Sequence, residues 1–294
     1  NSGRQGCLLA IVRLCAGAFA IWRKRFHFAM AGFWEPHTSS HDFCEENYKY
    51  TPYIAELLNS LTSFPIALAG AWAWARTPQR YRSQTRFILC WLAFITIGLG
   101  SAAFHATLRR WAQALDEVPM VLANLVFVFC LSRPSTTVAS KLASALSVAG
   151  LALVIIYTVF EAYIVFLSLY GLVVIYLCVE SGRLAYRQPA YVPKNGEVLK
   201  YLWRVAFSMY GAGFAFWVMD HVVCASLKVG HLHIAWHFLA CAGTLVFVLN
   251  LIALAADAEN LDVKVVWPRC SGVPLLPFLE LPNDMPEGQN KKVS

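Results

Sequence analysis

Charge is what this chain has least of: Asp, Glu, Lys and Arg make up 14% of its 294 residues, against 58% hydrophobic. Water-soluble chains carry about 25% charged residues. With a mean hydropathy of +0.53, one core cannot hide these apolar side chains and still leave a polar surface, so lipid must be the solvent for most of the chain. That excludes a disordered protein and an ordinary cytosolic enzyme. Closely spaced cysteine motifs are also missing. The nine cysteines form no CxxC and no zinc-finger spacing, and the chain does not read as a disulfide-framework miniprotein. Cys90, Cys130, Cys178 and Cys241 lie in apolar runs, where a free thiol behaves as a small hydrophobe. Cys44 and Cys224 sit among polar residues and are the disulfide candidates. Nor is there a basic stripe: the 24 Lys and Arg behind the net charge of +7 are scattered between apolar runs, as loops flanking membrane spans would place them, so no nucleic-acid partner is expected. Internal repeats and strict polar–apolar alternation are absent, which favours helices over a barrel.

A hydrocarbon core about 30 Å thick takes roughly 20 apolar residues in a helix. Seven stretches are long enough, at about 54–75, 86–106, 116–132, 140–160, 162–182, 200–224 and 233–256. The fourth and fifth meet near Glu161 with almost nothing between them. The expected fold is an all-α integral membrane protein, a seven-helix bundle. With the N-terminus outside, fourteen Lys and Arg fall in the inner loops and tail and four in the outer connections from residue 42 on. The positive-inside rule then puts the C-terminus in the cytosol and the N-terminus in a lumen. Four segments follow: a leader at 1–31, a luminal acidic segment at 32–53, the helical domain at 54–256 and a flexible cytosolic tail at 257–294. The leader holds a short apolar stretch, Cys7 to Trp22, broken by Arg13 and followed by Arg23, Lys24 and Arg25. A signal anchor, an uncleaved leader and a gene-model artefact all fit it, and the Arg23 cluster counts against the orientation above.

Ionisable groups inside spans are costly and mark functional sites. Here they gather at one level. The second span ends with Ser101 and His105, the third begins with Asp116 and Glu117, the sixth ends with Asp220 and His221, and the seventh begins with His233 and His237. In an up-and-down bundle these four clusters share the outer end, so the metal site is expected near the luminal side. His233 and His237, at i and i+4, put two imidazoles on one helix face. With His105 as a third they suit a catalytic zinc, whose three neutral nitrogens leave a position open and lower the pKa of bound water from about 15.7 towards 7. Imidazole suits zinc better than calcium or magnesium.

The remaining polar groups have weaker claims. Ser101 lies one turn from His105 and can donate to an oxyanion, although Ser also packs between membrane helices for no chemical reason. Asp116 can accept a proton or merely orient an imidazole. Asp220 and His221 read as capping or orienting groups, and His27, His37, His41 and His231 as solvent-facing. The run Asp42-Phe43-Cys44-Glu45-Glu46-Asn47, followed by Glu56, gathers oxygen ligands that suit calcium. The alternative is a solvated acidic loop whose charges favour a helix N-terminus. Glu56 argues against that alternative, since a carboxylate so deep wants a cation.

Taken together, these residues resemble the alkaline ceramidases. The likeness runs through Phe33-Trp34-Glu35-Pro36, Asp42 to Tyr48, Tyr53-Ile54-Ala55-Glu56 with Asn59, Gly100-Ser101 with Phe104-His105, Leu115 to Met120, Phe216-Trp217 with Asp220, and His233 with Trp236-His237. It covers about 32–256, and extends to the wider superfamily with the adiponectin and progestin receptors. The resemblance implies a zinc amidase that splits ceramide, in particular phytoceramide or dihydroceramide, into a sphingoid base and a fatty acid. It further implies zinc on His105, His233 and His237, catalytic roles for Ser101 and Asp116, and a structural or regulatory calcium on Asp42, the Phe43 carbonyl, Glu45, Asn47 and Glu56. A Cys44–Cys224 disulfide and an endoplasmic reticulum or Golgi membrane are implied as well. The family usually has Trp at the position of Phe43, and Met30 is a plausible native start. The acyl chains are expected to lie in a cavity lined by residues such as Phe104, Trp217 and Trp236. The rival readings are a seven-span receptor or sensor, a haem or metal transporter, and a lipid hydrolase acting on esters.

Overall fold

A computed structural model of the chain describes residues 32–132, 136–160, 163–186, 192–227, 231–270, 273–274 and 276–281. The leader at 1–31 and residues 282–294 of the tail lie outside the described residues. Seven long helices account for most of the rest: α1 Leu57–Arg76, α2 Thr85–Thr107, α3 Arg110–Ser132, α4 Thr136–Val159, α5 Tyr163–Ala185, α6 Gly196–Leu227 and α7 Leu232–Ala258. A one-turn helix, Gln79–Arg82, lies between α1 and α2. Among the described residues, five helices are long and apolar enough to cross a membrane: α2, α3, Val138–Val159 of α4, α5 and α7. The other two are diluted by polar residues, Asn59, Ser60, Thr62 and Ser63 in α1 and Glu197, Lys200, Arg204 and Asp220 in α6.

Local chemistry sets the helix ends. Pro78 disfavours the helical region for Thr77, whose φ of −63° and ψ of 133° close α1. The Thr77 hydroxyl donates to Ala73 O at 2.9 Å and accepts from Trp91 Nε1 at 2.9 Å, which ties the turn to α2. Helix α7 ends at Asn260, which has a φ of 58°, and Leu261 N then donates back to Ala256 O at 2.9 Å.

Packing follows from which helices are apolar all round. From Leu245 to Asp257 every residue of α7 is buried, as expected of a helix with no polar face. This helix packs against α6 and α1, and α2 lies between α1 and α3. Helices α4 and α5 are peripheral, with only 11% and 17% of their apolar windows buried. Of the segment 257–294, expected to be a flexible tail, the described residues 257–270, 273–274 and 276–281 are instead folded onto the bundle. Asn195 holds Asp257, Leu261 O and Val263 N through its backbone and amide. Two short antiparallel pairs follow, β1 Lys264–Val266 with β4 Phe278–Glu280 and β2 Arg269–Cys270 with β3 Val273–Pro274. The physical reason is burial: Val263, Leu279 and Leu281 are almost fully withdrawn from solvent.

The approach of α2 to α3 depends on one residue without a side chain. Pro119, inside α3, has no N–H to donate to the carbonyl of Leu115. That carbonyl faces Gly100, where an added Cβ would stand 2.1 Å from Leu115 O and 2.9 Å from Asp116 N. Gly171 has open space around it. Gly100→Ala is expected to destabilise the protein by about 1–3 kcal/mol through overpacking, seen as a lower Tm in detergent, while Gly171→Ala leaves Tm near the wild-type value.

Candidate metal centre

The exposed end of α2 is covered by the segment that precedes α1. A helix leaves its last four carbonyls without partners, and here two of them are taken by backbone amides: Glu56 N donates to His105 O and Ala55 N to Ala106 O, both at 2.9 Å. Leu108, fully buried with a φ of 48°, turns the chain out of α2. Its carbonyl accepts from Thr38 N and Ser39 N at 3.1 Å. Residues 38–56 are thereby fastened over the helix end that carries His105.

Beneath this cover the three expected imidazoles meet. His105 comes from α2, and His233 and His237 from the first turns of α7, with exposures of 0%, 3% and 3%. Ring centroids are 5.0 Å apart for His105 and His233, 5.1 Å for His105 and His237, and 4.5 Å for His233 and His237. One nitrogen from each lies within 4.8 Å of the others. Each ring is held from behind. Glu56 Oε2 stands 2.6 Å from His105 Nδ1, and Thr62 Oγ1 2.9 Å from His237 Nδ1. His233 is stacked on Phe43 with 3.7 Å between centroids, and its backbone N donates to Asp220 Oδ1 at 3.2 Å. His105 Nε2 and His233 Nδ1 are buried without a hydrogen-bond partner. Buried polar atoms are rarely left so, and these two orphaned nitrogens, clustered with the His237 ring, are what a zinc ion would satisfy. The residues fit the metal.

Ser101 and Asp116 lie on the same cavity as His233 and His237. The Ser101 hydroxyl accepts from Ser63 Oγ at 3.0 Å and is hydrogen-bonded to the Asp116 carboxylate. The cavity holds about 560 Å³, within the range of small-molecule sites, and Phe104, Trp217 and Trp236 line it as expected.

Several oxygens of the expected calcium ligands are already employed in hydrogen bonds. Glu45 accepts from Leu58 N at 2.7 Å and Asn59 N at 2.8 Å, serving the first turn of α1. Burial pushes its carboxyl up, and those two amides oppose the shift. Glu56, at 0% exposure, accepts from Phe43 N at 2.9 Å and from the Asn59 amide at 3.1 Å while also meeting His105. Asn47 Nδ2 donates to Asp42 Oδ2 at 3.3 Å, and Asn47 Oδ1 is buried without a partner. That orphaned oxygen fits a cation, though the two glutamates also have structural duties that the sequence reading did not give them. Cys44 is disulfide-bonded; the side chain of Cys224 lies outside the described residues.

His41 corrects an expectation. It is not solvent-facing but lines the cavity mouth, in edge contact with Phe43 and Phe104 and 4.9 Å from the Tyr163 ring. Burial lowers its pKa to about 3, helped by His221, His105 and Arg110. The neutral ring therefore forms no ion pair with Glu117, whose Oε1 is 3.8 Å away. His37 meets the Tyr48 hydroxyl at 3.1 Å, His231 is exposed, and His27 lies outside the described residues. Sequence reasoning gave no role to Thr62 or to the group around Glu117, which accepts from Gln113 Nε2 at 3.1 Å and from the Tyr157 hydroxyl. No periodicity marks a lone Thr or Tyr inside an apolar run.

Asp220 joins the cover to α7, since its Oδ2 accepts from Cys44 N at 3.0 Å and its Oδ1 from His233 N. Asp220→Ala leaves both amides without that acceptor, a loss of about 1–3 kcal/mol. The expected outcome is a lower Tm together with faster proteolysis of the segment before α1 by an added protease.

Comparison with known proteins agrees with this geometry. Alkaline ceramidase 3 of Mus musculus is 29% identical over 233 residues, covering 74% of this chain and 84% of that protein. Alkaline ceramidase YPC1 of Saccharomyces cerevisiae is 26% identical over 81% of this chain and 84% of its own length. The alkaline ceramidase of Arabidopsis thaliana is 28% identical over 71% and 80%. The Ceramidase family model matches residues 35–279, from the covering segment to the last strand. With that match and these relatives, the chain belongs to the ceramidase family.

Proposed function

We propose that the protein is a seven-span zinc amidase that cleaves the N-acyl bond of ceramides, in particular phytoceramide or dihydroceramide, releasing a sphingoid base and a fatty acid. The observation that carries this reading is the buried trio His105, His233 and His237, with unpartnered nitrogens on His105 and His233, together with a cavity lined by His233, His237, Ser101 and Asp116. Zinc bound there supplies Lewis acidity, polarising the amide carbonyl and acidifying a neighbouring water. Asp116 takes the proton from the attacking water and returns it to the leaving nitrogen as the C–N bond breaks. Ser101, accepting from Ser63, keeps its own hydroxyl proton to donate to Asp116 or to the developing oxyanion. Glu56 and Thr62 fix the rings of His105 and His237 from the side away from the metal.

Asp42, the Phe43 carbonyl, Glu45, Asn47 and Glu56 are the proposed calcium ligands, and the unpartnered Asn47 oxygen supports them. The bias of Lys and Arg towards one side supports a luminal N-terminus and a cytosolic C-terminus, in an endoplasmic reticulum or Golgi membrane. The receptor and transporter readings have no observation of their own, whereas the curated relatives are named as ceramidases.

In detergent, with a panel of ceramide, dihydroceramide, phytoceramide and a simple ester, His105→Ala is expected to reduce hydrolysis to background and bound zinc to well below one per chain. Full turnover by that variant would sink the zinc scheme. Glu56→Gln is expected to weaken zinc retention against a chelator by roughly 10–100-fold and to raise the calcium needed for half-maximal activity. Asp42→Asn shifts only the calcium requirement, so a variant pair that moved neither quantity would remove the calcium site.

A further inference from the structure

Asn124 is among the polar groups on the cavity wall that the reaction does not use. On α3 the lining residues are Asp116, Glu117, Met120, Ala123, Asn124 and Phe127, a spacing that draws one continuous face along the helix. Asp116 and Glu117 stand at the reacting end. Asn124 stands eight residues further along, about 12 Å deeper at the rise of an α-helix, with apolar Phe94, Ile97, Phe127 and Phe247 also on the wall. It is 6% exposed, and its Nδ2 is buried without a partner. The Tyr170 and Tyr210 hydroxyls, also on this wall, satisfy each other at 2.5 Å.

Two lining residues have a buried polar atom without a partner, His233 and Asn124. For His233 the metal accounts for it. For Asn124 nothing among the described residues does, although Leu would fill the same space without the desolvation cost of an unpaired amide. An amide so placed is satisfied by what enters the cavity.

We propose that Asn124 is a specificity-determining residue that recognises a hydroxyl in the middle of the substrate's lipid chain. An extended chain advances roughly 1.25 Å per carbon, the projection of a ~1.5 Å bond, so a depth of about 12 Å corresponds to a hydroxyl near the tenth carbon from the amide. The Asn124 side chain both donates and accepts, so it serves such a hydroxyl whichever way the O–H points. An unsubstituted chain leaves the amide unpaired, and sites built to bind a polar group reject analogues that lack it. The inference rests on the amidase reading for its choice of substrate.

The test compares N-(10-hydroxystearoyl) and N-stearoyl dihydrosphingosine on the full-length protein in detergent, measuring both hydrolysis and binding by competition with a fluorescent ceramide. Wild type is expected to bind and cleave the hydroxylated lipid about 10-fold better. In Asn124→Leu that preference disappears or inverts, while Tm is maintained or improved. Equal affinity of wild type for the two lipids, or a preference that survives in Asn124→Leu, overturns the proposal. A binding preference that depends on Asn124 but is accompanied by no hydrolysis of either lipid overturns the amidase reading and leaves this recognition standing.

Discussion

A carboxylate and an imidazole pressed together where no water reaches them hold the centre of this protein in place. Glu56 and His105 are both fully buried and 2.6 Å apart, and neither is a cheap residue to bury alone. Each is satisfied by the other and by the backbone: Glu56 N donates to His105 O, and the Glu56 carboxylate accepts from Phe43 N and the Asn59 amide. One acid thus fixes a metal-ligand ring, the start of α1 and the covering segment. In the proposed scheme it also belongs to the calcium set, so any cation near Asp42 and Asn47 is one carboxylate away from the imidazole that holds zinc.

The same economy recurs at Asp220, whose two oxygens bind the cover on one side and the first turn of α7 on the other. Phe43 continues the pattern through its ring, which packs on His233 at 3.7 Å. A larger indole at this position would press on the same imidazole, so the Phe found here bears on how the His233 ring is placed. The three histidines therefore owe their convergence less to α2 and α7 alone than to a short irregular segment wedged against both.

Much of this was legible in one dimension because lipid imposes a length on apolar runs, and six of the seven long helices begin and end within a few residues of those runs. The boundaries that slipped did so for identifiable reasons. Helix α3 starts at Arg110 rather than near 116, because Gln113 is buried and bonded to Ser40, a contact across 73 positions that hydropathy cannot register. The histidine trio could be found from depth and i, i+4 spacing, since imidazoles are rare enough in spans to stand out. His41 could not, because Ser40-His41-Asp42 reads as a solvated loop and its burial comes from Phe104 and Tyr163, far away in sequence. The tail misled through its prolines, which drew attention from the alternating Val263, Val265, Leu279 and Leu281 that pair and bury it.

The span of sequence bridged at Asp220 bears on biosynthesis. Cys44 and Asp220 are separated by 176 positions, and the histidines on α7 come later still. A ribosome inserting this chain into a membrane therefore releases α1 to α5 before the donors that complete the centre exist. In the proposed scheme two of the three imidazoles are therefore missing until the final helix docks, so the centre is assembled only after the whole bundle has entered the membrane.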